Sequence, residues 1–383
     1  MSAASILKKL VSFPVLGGQS NLAIIEYIQS LLNEHGVAYH LVPDETGQKA
    51  SLHCRIGPPV DGGVILSGHT DVVPTEGQAW DTDPFQLTDG GDGKLYGRGS
   101  CDMKGFIACC LAALPDMVAA DLKRPVYFAF SYDEEIGCLA GPALAAAIRD
   151  HYDEAPKYAI IGEPSRMQPI TGQKGICVFD TTVHGSAGHS SRIRTEVSAI
   201  HESARLIGWL EDKMHALLKA GHRDDRFEPN HTSLHCGMIK GGIAPNVIAD
   251  QCTFTWDVRA IPGDDTELIY QEFLAFCQER EKELRQRFPE TRIVTRKHHP
   301  VVPTLDTPDD REVVPLIKSL AQRQDLGAVS YAAEAGQFAQ AGFQSVICGP
   351  GDIAQAHRAN EFIEIDQLEQ GVAFQQRLIR HLC

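Results

Sequence analysis

The sequence predicts an α/β fold, a mostly parallel sheet with helices on both faces, interrupted by an inserted α+β domain. Three observations predict it. Short, uniformly apolar strands alternate with helical stretches in the first half of the chain and return near its end. The middle changes to strands with one wet face and to amphipathic helices. A length of 383 residues also exceeds the usual single domain. The expected division places residues 1–176 and 299–383 in a split parallel-sheet domain and 177–298 in the insert.

An amphipathic helix is expected over residues 21–34. The run Gly63-Val64-Ile65-Leu66-Ser67-Gly68-His69 reads as a strand that breaks into polar residues. A helix starts near Met103 and continues through Phe106, Cys110 and Leu114. The second strand, Val126-Tyr127-Phe128-Ala129-Phe130-Ser131, runs into Asp133-Glu134-Glu135. The third, Tyr158-Ala159-Ile160-Ile161, ends in Gly162-Glu163-Pro164, and the fourth, Ser345-Val346-Ile347-Cys348, in Gly349-Pro350-Gly351. Strands apolar on both faces belong to a parallel sheet covered twice.

In the insert, residues 178–183 form a mixed strand. Cys252, Phe254, Trp256 and Val258 alternate with Thr253, Thr255, Asp257 and Arg259. Two helical stripes lie nearby: Ile200, Ala204, Ile207, Leu210, Met214 and Leu217, then Ile269, Phe273 and Phe276. After Pro300 and Pro303 the α/β pattern resumes at residues 312–324.

The formal charge of −15 argues against nucleic-acid and anionic-membrane partners, which require a basic footprint. No apolar run approaches the roughly 18 residues of a membrane span. Residues 1–14 carry Lys8 and Lys9 and lack a signal-peptide core, so a cytoplasmic location is expected. The 11 cysteines include no C-x-x-C pair and read as reduced, mostly buried thiols.

The carboxylates and histidines are the central feature. His69, Glu134 with Glu135, and Glu163 each follow an apolar strand, and His357 follows the fourth. Open α/β sheets bind ligands at the carboxyl ends of their strands, so these side chains can converge. Asp102 lies in the loop Gly97-Arg98-Gly99-Ser100-Cys101-Asp102 at a helix start. Two His, one Asp and two Glu suit a pair of divalent cations, with Asp102 as the bridge and one His and one Glu left for each. In His69-x-Asp71 the Asp carboxylate is placed to hold the second ring nitrogen. Taken singly, each feature has an ordinary alternative: Glu134-Glu135 as a solvated turn, Asp102 as a helix cap, Glu163 as a turn residue. Their joint placement at strand ends carries the argument. No G-x-S-x-G, P-loop, H-E-x-x-H or strand-linked G-x-G-x-x-G competes.

The strings Ser67-Gly68-His69-Thr70-Asp71-Val72-Val73-Pro74, Gly97-Arg98-Gly99-Ser100-Cys101-Asp102-Met103-Lys104-Gly105, Asp133-Glu134-Glu135-Ile136-Gly137 and Gly162-Glu163-Pro164 resemble a known family. It is the di-zinc metallopeptidase family that holds acetylornithine deacetylase and succinyl-diaminopimelate desuccinylase. The resemblance implies a catalytic domain interrupted by a lid and dimerisation domain. It implies that His69 and Glu163 bind one zinc, that Glu135 and His357 bind the other, and that Asp102 bridges them. Glu134 becomes the general base and Asp71 the residue that orients His69. Cobalt is the alternative metal.

His184-Gly185-Ser186-Ala187-Gly188-His189-Ser190-Ser191 matches the lid signature, implying that His189 stabilises an oxyanion in a partner subunit and that the protein is a homodimer. Asn246 and Arg259 match segments that hold a substrate carboxylate. Tyr331-Ala332-Ala333-Glu334-Ala335-Gly336 and the segment ending in His357 look most like the deacetylase branch. This implies hydrolysis of N-acetyl-L-ornithine in arginine biosynthesis, with Glu334, or Asp352 in its stead, facing the substrate ammonium. A desuccinylase, another deacylase or a dipeptidase is the alternative on the same scaffold. A non-catalytic binding protein would be expected to lack Glu134 or a ligand, and all six residues are present.

Overall fold

The computed structural model describes residues 1–383, which form two compact units. The first comprises Met1–Gly172, Leu305–Ala328 and Ala333–Cys383, and the second Gln173–Thr304 with Val329–Ala332. The insert thus begins and ends a few residues outside the expected 177–298, and a short return segment joins it.

Four parallel strands form the heart of the first unit, in the order Val126–Ser131, Val64–His69, Tyr158–Pro164 and Gln344–Gly349. Ala50–Ile56 and Tyr39–Pro43 extend one edge antiparallel. All four parallel strands are buried over almost their whole length, which is why their sequences are uniformly apolar. Val64, Leu66, Phe128, Phe130, Ile160 and Val346 share one core with Phe106, Ile107, Cys110 and Leu114 of the helix Lys104–Ala119. Each such fully buried side chain stabilises the unit by about 1.5–3 kcal/mol before entropy is counted. The alternate residues Ile65, Tyr127 and Ile161 point to the opposite face, where the helices Gly141–His151 and Ala335–Gln340 pack. All eleven cysteines are free thiols, and nine are buried.

The helix expected at 21–34 runs Leu22–Glu34. Asn21 precedes it, but its side chain does not cap it. The amide bonds Ala50 and Thr70 and ties the helix start to the neighbouring strand.

The second unit is a four-stranded antiparallel sheet in the order Ser233–Gly241, Gln251–Ala260, Gly175–His184, Arg292–Lys297. Cys252, Phe254, Trp256 and Val258 are buried as the alternation predicts, and Trp256 stacks on Phe179 at 4.2 Å between centroids. The helices Ala199–Lys219 and Thr266–Arg285 cover this face.

The stripe expected on the first helix is displaced. Ala199, Glu202, Ser203, Leu206 and Leu210 are buried, while Ile200 and Ala204 are exposed. The cause is Glu202, whose two carboxylate oxygens receive Arg280 at 2.6 and 3.0 Å and also Arg205 at 2.8 Å. An acid paired in this way can occupy a core face that periodicity reserves for apolar residues.

Candidate metal centre

The donors gather at the carboxyl ends of the parallel strands. His69 ends its strand and is 1% exposed. Its Nδ1 lies 2.9 Å from the Asp71 carbonyl oxygen and 3.6 Å from the Asp71 carboxylate. The backbone carbonyl is therefore the nearer holder of the ring, correcting the expectation that the carboxylate does this. That carboxylate instead accepts the backbone N–H groups of Glu134 and Glu135 at 3.2 and 3.1 Å. Asp71 so fixes the ring on one side and the two-glutamate turn on the other. The turn is anchored further by Asp133, in left-handed backbone (φ 55°), which accepts the Gly18 N–H at 2.7 Å and pairs with Lys49.

With Nδ1 committed as donor, His69 presents Nε2 to the site. Nε2 is 3.1 Å from Asp102 Oδ1 and 3.9 Å from Glu163 Oε1. On the other side, His357 Nε2 is 3.5 Å from Asp102 Oδ2 and 2.8 Å from Glu135 Oε2. Asp102 thus turns one oxygen to each imidazole, with Glu163 on the His69 side and Glu135 against His357, although Glu135 also falls within 4.8 Å of the donors of His69 and Asp102. Glu134 lies with His69 and Glu163, and the donor atoms of that trio fall within 4.8 Å of one another. Its Oε1 accepts the Cys138 thiol at 3.3 Å. Close packing matters beneath the donors: a Cβ on Gly162, just before Glu163, would come within 2.0 Å of the Phe106 ring.

The electrostatics of this set fit divalent cations. Burial and the charges of their neighbours hold Glu134 and Glu163 well above the usual carboxylate range, and Glu135 is pushed up to about 6 by burial and by Asp102. Burial opposes the charge on Asp102 too, but hydrogen bonds from His357 and His69 hold its carboxyl low. His357 is raised to about 10 by its bonds to Asp102 and Glu135. Crowded acids that repel one another, with imidazoles drawn into the positive role, form a site that a bound cation relieves. The donors are hard or borderline oxygens and nitrogens, which suit zinc-like ions. The side chain of His357 is 56% exposed, so the site opens to solvent on that side.

Glu334 does not take the place expected for it. It is 1% exposed, and its carboxyl sits against the hydroxyls of Ser131 and Ser67, raised to about 7 chiefly by burial. A carboxyl sealed behind strand ends presents no surface to a substrate ammonium. Asp352 is also engaged, accepting the Ala354 N–H at 2.9 Å and Arg166 at 3.3 Å.

Three of the expected residues belong to the second unit. His189 accepts the Ser191 N–H on Nδ1 at 3.2 Å, which makes the neutral ring the Nε2–H tautomer, and it is exposed. Asn246 is exposed, and its carbonyl accepts the Ser190 N–H at 3.0 Å. Arg259 reaches the Ser330 carbonyl at 3.4 Å and Asp257 at 3.6 Å, with 41% of its side chain exposed. Sequence reasoning passed over Cys138, Arg98 and Glu361. An acid four residues after His357, in the same loop, was the available signal for Glu361.

An α/β unit carrying paired histidines and carboxylates at parallel strand ends defines a metal-dependent hydrolase scaffold. Residues 65–381 match the model of peptidase family M20/M25/M40, and the chain belongs to that family of metallo-hydrolases. It is 35% identical over 371 residues to acetylornithine deacetylase of Proteus mirabilis (strain HI4320), covering 95% of this chain and 91% of that protein. It is 32% identical over 382 residues to acetylornithine deacetylase of Myxococcus xanthus, with coverage of 98% and 96%. An M20 family metallo-carboxypeptidase from Sulfolobus solfataricus shares the fold, with a TM-score of 0.79, 16% identity and 99% of each chain covered. No helix is long and apolar enough to cross a membrane.

Proposed function

We propose that this protein hydrolyses N-acetyl-L-ornithine to L-ornithine and acetate, with two divalent cations, zinc or in its place cobalt, as cofactors. The observation that carries the reading is Asp102 standing between two imidazoles, with Glu163 on the side of one and Glu135 against the other. His69 and Glu163 would hold one ion and His357 and Glu135 the other, with Asp102 placed to serve both. The identity of 35% and 32% to two acetylornithine deacetylases supports the substrate.

Cations in such a site acidify water and polarise an amide carbonyl. Glu134 takes the proton of the attacking water and delivers it to the leaving amine nitrogen. Burial and the neighbouring acids raise its proton affinity, which favours the delivery of the proton to the amine. Asp71 orients His69 and, through two backbone N–H groups, the Glu134–Glu135 turn. His189, with its Nε2–H as donor, stabilises the developing oxyanion of the partner copy's substrate. Arg259 and Asn246 receive the α-carboxylate, which a guanidinium binds well. The ornithine ammonium is not assigned to Glu334, because its carboxyl is sealed.

A homodimer fits the second unit, where the strand Ser233–Gly241 lies at the sheet edge and exposes Met238 and Ile239, with Ile243 87% exposed beyond it. A long apolar edge strand is a template for pairing with another chain. The proposed setting is the cytoplasm, in arginine biosynthesis.

Ornithine release by zinc-loaded protein, run beside N-succinyl-diaminopimelate and a dipeptide, tests the reading. Chelator-sensitive release from the acetyl substrate alone is expected. Turnover of a different N-acyl amino acid or of the dipeptide instead would leave the hydrolytic site standing and remove the substrate assignment.

A further inference from the structure

Four donors converge on one carboxylate that the mechanism above does not use. Glu361 is 1% exposed. Its Oε1 accepts the backbone N–H groups of Cys101 at 2.9 Å and Asp102 at 3.0 Å. Its Oε2 accepts the Gly99 N–H at 3.0 Å and the Arg98 guanidinium at 2.7 Å. The Glu361 backbone carbonyl takes the Gly97 N–H at 2.9 Å. The whole loop leading to Asp102 is thus wrapped around one side chain that comes from the far end of the sequence. The loop cannot easily take another shape. Gly99 sits at φ +80°, where a Cβ would also meet Val72 at 2.7 Å.

The same group reaches the opposite histidine. Arg98 extends from Glu361 to Gln78 Oε1 at 2.5 Å, and Gln78 Nε2 donates to the His357 carbonyl at 3.0 Å. His357 itself has left-handed backbone (φ 61°), unfavourable for a residue with a Cβ and kept only where surroundings dictate it. Asn360, also left-handed, is bound to Asp81 by two hydrogen bonds of 2.9 and 2.7 Å. The loop from His357 to Glu361 is therefore held at both ends.

We propose that Glu361 is the positioning residue of the metal centre: it fixes the backbone that aims Asp102 between the two cation positions, and through Arg98 and Gln78 it ties that backbone to the loop carrying His357. The inference rests on the two-cation reading of the site. A bridging carboxylate must keep both oxygens in line with two ions at once, so a small rotation of its backbone weakens both positions together. Outer partners of metal ligands act in this way, and their loss typically costs about 10- to 100-fold in metal affinity.

The test adds Co²⁺ or Zn²⁺ to metal-free protein and follows binding by calorimetry, the visible cobalt spectrum and backbone amide exchange. Glu361→Gln keeps the shape but turns an amide N–H₂ toward donors. It should fold, bind both ions more weakly, by about 10- to 100-fold, and show an altered cobalt spectrum. Its kcat should fall with KM little changed, and the amides of Gly99, Cys101 and Asp102 should lose protection. Glu154→Gln is the control, since Glu154 is a buried acid paired with Arg55 and Tyr127 away from the donors. It should lower stability and leave affinity and spectrum unmoved. Wild-type affinity and spectrum in Glu361→Gln would overturn the proposal. If that variant does not fold, the metal-free wild type decides: rapid exchange at Gly99, Cys101 and Asp102 overturns the proposal, and protection matching the neighbouring helix upholds it. If wild-type protein takes up fewer than two ions, the two-cation reading fails, and the exchange measurement still judges Glu361.

Discussion

Replacing Glu334 with Gln removes an ionisable group from the inside of the first unit while keeping its shape. The folded protein holds this carboxyl at about 7, against 4.5 in an open chain, chiefly because burial penalises the charge. Below pH 4.5 both states carry the proton and the penalty is absent. As pH rises from 4.5 to 7, the unfolded chain ionises and the folded one does not, so stability is lost progressively and the loss is complete above about pH 7.5. Each unit of pKa difference is worth about 1.4 kcal/mol, so wild-type protein gives up about 3 kcal/mol across this window. Glu334→Gln cannot ionise and escapes the loss.

Urea unfolding of metal-free wild-type and variant protein at pH 4.5 and pH 8 measures the difference. The variant should gain about 3 kcal/mol on wild type between the two pH values. It should also retain its KM for N-acetyl-L-ornithine. A gap that does not change with pH would refute the burial argument. A KM raised tenfold or more would show that Glu334 meets the substrate ammonium after all.

Glu134→Gln should keep both ions, because Gln retains an acceptor for the Cys138 thiol, and should lose about 10²- to 10⁴-fold in kcat; metal analysis beside steady-state kinetics checks it. His189→Asn should lower kcat about 10²-fold without loss of metal, and depleted metal would recast the residue as a ligand. Met238→Asp with Ile239→Asp should convert a dimer to monomer in sedimentation, since both side chains lie exposed on the edge strand. Arg280→Met leaves Glu202 buried with only Arg205, and should destabilise the second unit by about 3 kcal/mol in thermal or urea melts.

The parallel sheet was legible because its strands are buried on both faces and therefore apolar throughout, as in Val64–His69 and Val126–Ser131. The strand Gln251–Ala260 was equally plain, because it has one wet face and alternates. His69, Glu134, Glu135, Glu163 and His357 stood out as candidates because each lies at or after the end of such a strand, whereas Asp102 was marked only by its glycine-rich loop at a helix start. Less visible was anything decided by pairing between distant polar groups. Glu202 moved a helix stripe because Arg280 neutralises it. Asp71 uses its backbone carbonyl where a side chain was expected, a choice of atom that residue types do not encode. Glu334 lay in a motif that suggested contact with substrate, yet packing closed around it. Glu361 carried one faint signal, an acid four residues after His357, but its partners are largely backbone N–H groups, which residue types do not mark.

The last of the four parallel strands, Gln344–Gly349, docks on Tyr158–Pro164 with the whole second unit between them in sequence. Contacts that close so long a loop form late, because the entropy of closure comes before any reward. His69, Asp102, Glu135 and Glu163 all precede the second unit, while His357 and Glu361 follow it. On the proposed ligand set, all the donors of one ion (His69, Glu163 and Asp102) precede the second unit, whereas His357 of the other, and the Glu361 clamp on Asp102, wait for the final strand. Under the proposed ligand set, uptake of a second cation would report that the last strand has docked.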